Sequence, residues 1–233
     1  MEKVDAAWTI IPLGYVVRLG PIRSHRAEVS APEGRGRRPP FRDDGPPVYP
    51  AREDTLLLLP FARVGTGTRF LEIGAGSGLV ALEAARSGAR VVATDLNPYA
   101  LGRLRELARV ERLDVDPVRT DLARGLGQFD RIVANPPYLP TRPPERDPDR
   151  WHNLALDGGH DGCRVTARLI GELDEHLLRS GEAFVLVSSL QSASALRRIR
   201  TGWFRRGGKL SVAASRQLEG ERLEVWRLTM PGD

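Results

Sequence analysis

From residue 69 onward, short apolar runs alternate with amphipathic stretches. Arg69-Phe-Leu-Glu-Ile-Gly is apolar at nearly every position and ends in glycine, the pattern of a strand buried on both faces. Leu79 to Arg86 then reads as a helix with Gly88 as its stop. The alternation repeats: a strand over Arg90-Val-Val-Ala-Thr-Asp95, a helix over Tyr99 to Arg109, and a short third strand over Pro117-Val-Arg-Thr-Asp121. A fourth strand follows at Asp130-Arg-Ile-Val-Ala-Asn135, then a helix near Val165 to Leu178 and a fifth strand at Ala183 to Ser188. Strands separated by helices predict a mostly parallel α/β sheet with right-handed crossovers. The end of the chain breaks the rule. Lys209-Leu-Ser-Val-Ala-Ala and Arg222-Leu-Glu-Val-Trp-Arg-Leu flank Glu219-Gly220, which predicts an antiparallel hairpin closing the sheet.

The first part of the chain has another character. Trp8 to Val17 is rich in β-branched and aromatic residues and reads as a strand or hairpin, and Ala31 to Pro47 reads as a Pro/Gly/Arg-rich linker. The expected organisation is an N-terminal extension over residues 1–45 and one catalytic domain over residues 46–233. At 233 residues the chain is long enough for one sizeable core. No apolar run reaches membrane-spanning length, and Pro12 and Gly14 break the one early stretch that resembles a signal peptide. Cys163 is the only cysteine, which excludes an internal disulfide and suits a reducing cytoplasm. The scattered histidines offer no zinc spacing. The net charge is +5, carried almost wholly by arginine. That sign favours an acidic or RNA-associated partner; the preferred account is an arginine bias spread over a solvated surface.

Chemistry concentrates where strands end. Glu72-Ile-Gly74-Ala-Gly76-Ser-Gly78 lies between the first strand and its helix, where glycines permit a tight turn and close approach of a ligand. The G-x-G-x-G spacing is tighter than the dinucleotide pattern. With no pyrophosphate to cradle, the expected ligand is the amino-acid and ribose part of S-adenosyl-L-methionine. Asp95 ends the second strand 21 positions after Gly74, where a carboxylate can accept from both ribose hydroxyls. Asn97 offers its own cap to the following helix, which leaves Asp95 spare for the ligand. Asp121, read as the end of the third strand, is placed to accept from an adenine amino group or to cap.

Asn135-Pro136-Pro137-Tyr138 follows the fourth strand. An amide or adenine amino nitrogen is a poor nucleophile because its lone pair is delocalised. Two acceptors, the Asn135 side-chain oxygen and the Pro136 carbonyl, can hold its two hydrogens and favour a pyramidal transition state. The prolines stiffen the loop and remove competing donors, and Tyr138 can stack on a planar target.

With these motifs the chain resembles the HemK-type protein-(glutamine-N5) methyltransferases, in the short archaeal and eukaryotic form that acts on class I release factors. The resemblance runs over about residues 47–229 and is carried by Val48-Tyr-Pro-Ala-Arg-Glu-Asp-Thr55, Leu71 to Gly78, Thr94 to Pro98, Thr120-Asp-Leu122, Asn135 to Tyr138 and Gly158-Gly-His-Asp-Gly162. It implies a Rossmann-like, seven-stranded class I methyltransferase fold. It also implies cofactor contacts at Thr55, Glu72, Gly74, Gly76, Asp95, Asp121 and Leu122, with Asn135 meeting both cofactor and substrate. Glu53-Asp54-Thr55 then reads as a flap over the cofactor, although composition alone makes it a helix N-terminus. The implied substrate is the glutamine of the Gly-Gly-Gln loop of a peptide chain release factor, and the implied partner a small zinc-binding activator subunit.

The rival substrate is the adenine N6 amino group of RNA or DNA, which the same four-residue motif serves. Against it stand the absence of an added recognition domain and an aromatic content of only 6%. Pro143 to Arg150, with Trp151 as anchor, reads either as a substrate lid or as a surface loop.

Overall fold

The computed structural model describes residues 8–11, 15–18, 48, 50–143 and 149–231. Contacts divide the chain into two units, residues 1–44 and 45–233. In the first, β1 (Trp8–Ile11) and β2 (Tyr15–Arg18) pair antiparallel, as the β-rich patch predicts. The Ala31–Pro47 linker lies outside the described residues, as does most of the Pro143–Arg150 loop.

In the second unit the chain runs α1 (Glu53–Ala62), β3 (Arg69–Ile73), α2 (Leu79–Arg86), β4 (Arg90–Asp95), α3 (Pro98–Glu111), β5 (Val115–Arg119) and β6 (Phe129–Ala134). It continues through α4 (Arg150–Leu156), α5 (Arg164–His176), β7 (Leu177–Ser188), α6 (Ala193–Arg205), β8 (Lys209–Leu218) and β9 (Glu221–Thr229). Seven strands form one sheet in the order β5-β4-β3-β6-β7-β9-β8. The first five are mutually parallel, and β9 runs antiparallel between β7 and β8. This is the expected α/β sheet with its antiparallel closing hairpin.

Strand residues alternate between two cores. Phe70, Val91, Val133, Phe184 and Leu186 point to one side, against α1, α2 and α3 through Leu58, Val80 and Leu104. Leu71, Ile73, Ile132, Val185 and Val187 point to the other, against Leu169, Ile170 and Leu173 of α5 and Trp203 of α6. Each fully buried leucine on these faces contributes roughly 1.5–3 kcal/mol by leaving water. Helices on both faces explain why the strands read as unbroken apolar runs.

Among the boundaries that differ from the expectation, three stand out. The third parallel strand is Val115–Arg119, so Asp121 stands two residues beyond its end. Pro117 is tolerated inside it because β5 is an edge strand. The helix before β7 stops at His176, and β7 takes in Leu177 and Leu178 because Leu177 pairs with Phe129. Glu53 to Thr55 is helical, the first turn of α1, as composition alone indicates.

The chain order reverses between β3 and β6. After β3, β4 and β5 build outward on one side; β6 then returns to the other side of β3. A crevice therefore opens at the carboxyl ends of these two strands, where Glu72-Ile-Gly and Asn135 emerge.

Candidate active site

The glycine turn after β3 is built as its sequence requires. Gly74, Gly76 and Gly78 all have positive φ, at 83°, 46° and 79°. A Cβ on Gly78 would also meet the Leu104 side chain at 2.9 Å, so glycine is needed there for conformation and for space. Gly74 and Ala75 both donate to the Thr94 carbonyl at 2.9 and 2.8 Å, tying the turn to β4.

Two carboxylates face this turn. Glu72 is buried, and its Oε2 accepts from the Ala81 backbone N–H at 2.8 Å. It thereby supplies the N-terminal cap of α2 that Gly78, having no side chain, cannot. Burial pushes the Glu72 carboxyl well above the ordinary carboxylate range; the Ala81 N–H opposes the shift and the nearby Asp95 charge adds to it. Asp95 is held from two sides: Oδ2 accepts from Gly76 N at 2.9 Å and Oδ1 from Asn97 N at 2.8 Å. Its pKa is also raised by burial, against those hydrogen bonds. Asn97 is indeed the α3 cap, accepting from Tyr99 N at 3.0 Å. Asp95 is nevertheless not spare: it splints the glycine turn to the start of α3, and only its remaining lone pairs are open to the cavity.

On the other side of the crevice stands Asn135. Its Nδ2 donates to Asp54 Oδ2 at 3.0 Å. The other oxygen of Asp54 accepts from Thr55 N at 2.7 Å and from the Thr55 hydroxyl at 3.3 Å. A carboxylate held this way can only accept, so the NH2 group of Asn135 must face Asp54 and its carbonyl must face away. That carbonyl oxygen, Oδ1, is out of contact with solvent and has no hydrogen-bond partner. A buried unpartnered acceptor costs about 1–3 kcal/mol, and Asn135 is one of the residues that line a cavity of about 120 Å³.

The cavity gathers most of the sequence-selected residues: Thr55, Glu72, Gly74, Gly76, Asp95, Asn135, Pro136 and Tyr138 all line it. It does not gather Asp121 and Leu122. The Asp121 carboxylate pairs with Arg168 at 2.6 Å, and both side chains are more than two-fifths exposed. Leu122, with φ of 53°, packs into the second core. A second cavity of about 410 Å³ shares Asp54, Tyr138, Leu139, Trp151, Ala155 and Leu156 with the first, and adds Arg52, Glu53, His152 and Glu221.

Residue-type reasoning passed over two features. One is Asp54, which looks like an ordinary helix-start residue until α1 is seen lying over the end of β6. The other is the prop behind the Asn-Pro-Pro-Tyr loop. Leu139 to Thr141 is held to residues 156–159 by backbone bonds of 2.9–3.1 Å. Gly162, at φ of 72°, sits so close to the Tyr138 carbonyl that any side chain would strike it. Gln191, almost fully buried, donates to the Gly162 carbonyl at 2.8 Å and to Thr166 Oγ1 at 3.0 Å, and accepts from Ser188 N at 2.9 Å. The Gly158–Gly162 stretch, singled out only by resemblance, thus backs the Asn-Pro-Pro-Tyr loop.

Residues 53–147 match the family described as the methyltransferase small domain. A methyltransferase HEMK2 of Mus musculus is 36% identical over 211 residues, an alignment covering 84% of this chain and 92% of that protein. A protein of Methanocaldococcus jannaschii, provisionally named a protein N5-glutamine methyltransferase, is 35% identical and is covered over 93% of its length by 78% of this chain. The chain belongs to the HemK-type glutamine methyltransferase family. A longer relative, the release factor glutamine methyltransferase of Deinococcus radiodurans, is 40% identical over 142 residues. The match covers 58% of this chain and about half (51%) of that enzyme. Among solved structures, the E. cuniculi Mtq2–Trm112 complex, described as methylating the eRF1 translation termination factor, superposes with a TM-score of 0.61. It is 24% identical, with 78% of this chain and 98% of that chain covered. As a member of the HemK-type family the chain is a methyltransferase, and the cavity at the β3–β6 crevice is its candidate active site. Among the described residues no cluster of histidine, cysteine and carboxylate side chains can hold a metal ion, and no helix is long and apolar enough to cross a membrane.

Proposed function

We propose that this enzyme transfers a methyl group from S-adenosyl-L-methionine to the side-chain amide nitrogen of the glutamine in the Gly-Gly-Gln loop of a peptide chain release factor. The observation that carries the reading is the buried, unpartnered Oδ1 of Asn135 beside a glycine-lined, carboxylate-bearing cavity. The names of the relatives agree: release factor glutamine methyltransferase for the Deinococcus enzyme, and eRF1 methylation for the E. cuniculi complex.

The residues fit the cofactor chemically. The positive-φ glycine turn leaves backbone open to a ligand, Asp95 retains lone pairs for ribose hydroxyls, and the Glu72 carboxylate suits a cationic ligand. When bound, S-adenosyl-L-methionine supplies an electrophilic methyl carbon on a sulfonium. The rest is done by this chain. Asn135 Oδ1 and the Pro136 carbonyl accept the two amide hydrogens of the glutamine, which turns the nitrogen lone pair out of conjugation and toward the first cavity. The Asp54 carboxylate keeps Asn135 from rotating, and its charge lies one hydrogen bond behind Asn135, two from the substrate nitrogen, as that nitrogen becomes cationic. The surplus proton passes to solvent water only after the nitrogen has become cationic, so no base has to act first. The glutamine reaches Asn135 through the second cavity, between Tyr138 and Trp151.

The reaction takes place in the cytoplasm, in a catalytic domain over residues 46–233 behind an N-terminal extension over 1–45. A small zinc-binding activator subunit, as Trm112 accompanies Mtq2 in the E. cuniculi complex, covers the open β5 edge with its half-exposed Val115 and Val118. Light scattering that shows an active, stable monomer without partner removes the activator.

The function itself is tested by supplying labelled cofactor with a release factor and, in parallel, an adenine-containing RNA. Mass spectrometry should find one methyl on the loop glutamine. Label on adenine, or on a release factor whose loop glutamine has been replaced, refutes the proposal.

A further inference from the structure

We propose that the solvent face of α6 is a docking surface for RNA, held through the phosphate backbone. The basic charge of residues 45–233 is not spread evenly along that unit. Residues 193–218 contain seven cationic side chains and no carboxylate, whereas the other 207 residues hold 28 cations against 30 carboxylates. Within residues 45–233 the whole excess of positive charge therefore lies in α6 and the strand that follows it, the rest of that unit holding 20 cations against 24 carboxylates; residues 18–42, outside this unit, hold an excess of their own, seven arginines against two carboxylates.

The helix sorts these residues onto one side. Ala195 and Trp203 are buried, Leu196 and Ile199 partly so, and Trp203 is fixed by its indole N–H donating to the Lys209 carbonyl at 2.9 Å. At 100° per residue the opposite side carries Arg197, Arg198, Arg200, Thr201, Phe204 and Arg205, all exposed. None of these four arginines pairs with a carboxylate among the described residues. Arg198 reaches only the Ser194 hydroxyl, at 3.5 Å, and Arg200 lies over the Trp226 ring at 5.9 Å. Arg206, just past the helix, shows the contrast: it is bound to Asp174 and to the Ile170 and Gly171 carbonyls, and so belongs to the fold. Like charges three or four positions apart weaken a helix, so the packing of α6 gives no reason for its arginines.

The kind of partner follows from the side chains. All four cations are guanidinium groups, whose planar fork matches phosphate oxygens in pairs and stacks on bases. Phe204, 46% exposed, stands among them as a ring on which a base can stack. An acidic protein would use the charge and leave the ring without a role. RNA is chosen over DNA because the proposed substrate is a translation factor; that choice rests on the proposed function, and the charge argument does not.

The test uses the full-length protein and a labelled oligouridylate, with fluorescence anisotropy read across a range of salt concentrations. The wild type should bind with a steep salt dependence. The triple variant R197Q/R198Q/R205Q should bind at least tenfold more weakly at low salt, with the slope of log affinity against log salt reduced by about 2, at ~0.7 per lost phosphate contact. R90Q/R103Q/R105Q, which removes the same charge from β4 and α3, should leave the slope unchanged. F204A should weaken binding severalfold without altering the slope. Methyl transfer to a release-factor peptide should survive the α6 variant, so a failure of the docking idea and a failure of the proposed reaction are told apart. Equal losses in both triple variants would overturn the proposal, because the charge would then act diffusely. So would binding of polyglutamate or an oligothymidylate through the same arginines as tightly as RNA.

Discussion

The loop after β6 and the loop after β5 leave the same edge of one sheet, and each carries a side-chain oxygen suited to a ligand. Their surroundings have made different things of them. Asn135, after β6, lies under α1, is clamped by Asp54, and keeps a buried oxygen without a partner. Asp121, after β5, stands at the edge of the sheet, is two-fifths exposed, and has found Arg168. A polar group at a strand end becomes part of a site only where neighbouring elements take it out of water and leave its last hydrogen bond unmade. At the edge, solvent and a half-exposed arginine complete it.

The sharpest way to break this contrast is at Asn135. Asn135→Ala should leave cofactor affinity largely intact and lower methyl transfer by roughly a hundredfold or more, because the acceptor matters most as charge develops on the nitrogen. Radiolabel transfer and calorimetry measure the two effects; equal losses in both would mean that Asn135 only binds. Asn135→Asp sets one carboxylate against another at the 3.0 Å Asp54 contact. A proton shared between them restores the lost donor, so the variant should be least active at neutral pH and recover as pH falls.

Next in size is Asp95→Ala, expected to weaken cofactor binding by roughly 1.5–3 kcal/mol as charge-assisted hydrogen bonds are lost. The raised pKa values of Glu72 and Asp95 add a proton signature. A carboxyl raised in the folded state contributes stability that is fully present below its unfolded pKa and lost as pH climbs through its folded one. A cationic cofactor pulls both groups back down. Binding should therefore release protons at pH values where these carboxyls still hold protons in the free enzyme, and progressively fewer as pH rises through their folded-state pKa values. Calorimetry in two buffers of different ionisation heat measures this, and proton uptake would contradict it.

Asp54→Ala removes the clamp without touching the acceptor. The amide is then free to turn, and kcat should fall about tenfold, or ~1.4 kcal/mol, with KM for the release factor changed little. Asp54→Asn, whose carbonyl can still accept from Asn135, should recover much of the loss. A merely structural role for Asp54 would lower thermal stability in both variants and spare neither kinetic constant.

Why the sequence located the end of β6 closely and misplaced the end of β5 is itself physical. Apolar runs ending in glycine or a polar residue revealed the strands, because helices on both faces demand such runs, and Asn-Pro-Pro-Tyr announced its own rigidity. The edge position of β5 was signalled only by Pro117, too little to show that Asp121 lies beyond the strand. Asp54 and Gln191 act across 81 residues and across 29. No local pattern in a single chain records such partners. Asp95 was legible as a carboxylate at a strand end and illegible as a splint, since its bonds to Gly76 and Asn97 depend on how two turns meet in space.

The smallest expected effect lies at Asp121, and it decides how far the contrast holds. The Asp121–Arg168 pair is solvated, and such pairs contribute about 0–1 kcal/mol. Asp121→Ala and Arg168→Ala should therefore each shift Tm little, and together no more than their sum. In the geometry described, Asp121→Ala should also change cofactor affinity less than about threefold, under 0.7 kcal/mol. The resemblance to the HemK-type family implies the opposite, a carboxylate accepting from the adenine amino group. For that, Asp121 must leave Arg168 and turn inward when the cofactor arrives. Arg168→Ala then becomes informative, because freeing the carboxylate would tighten cofactor binding while Asp121→Ala weakened it. Opposite shifts of tenfold in the two variants would bring Asp121 into the site and erase the difference between the loops. Two near-silent variants would leave the cofactor held by the β3, β4 and β6 ends alone.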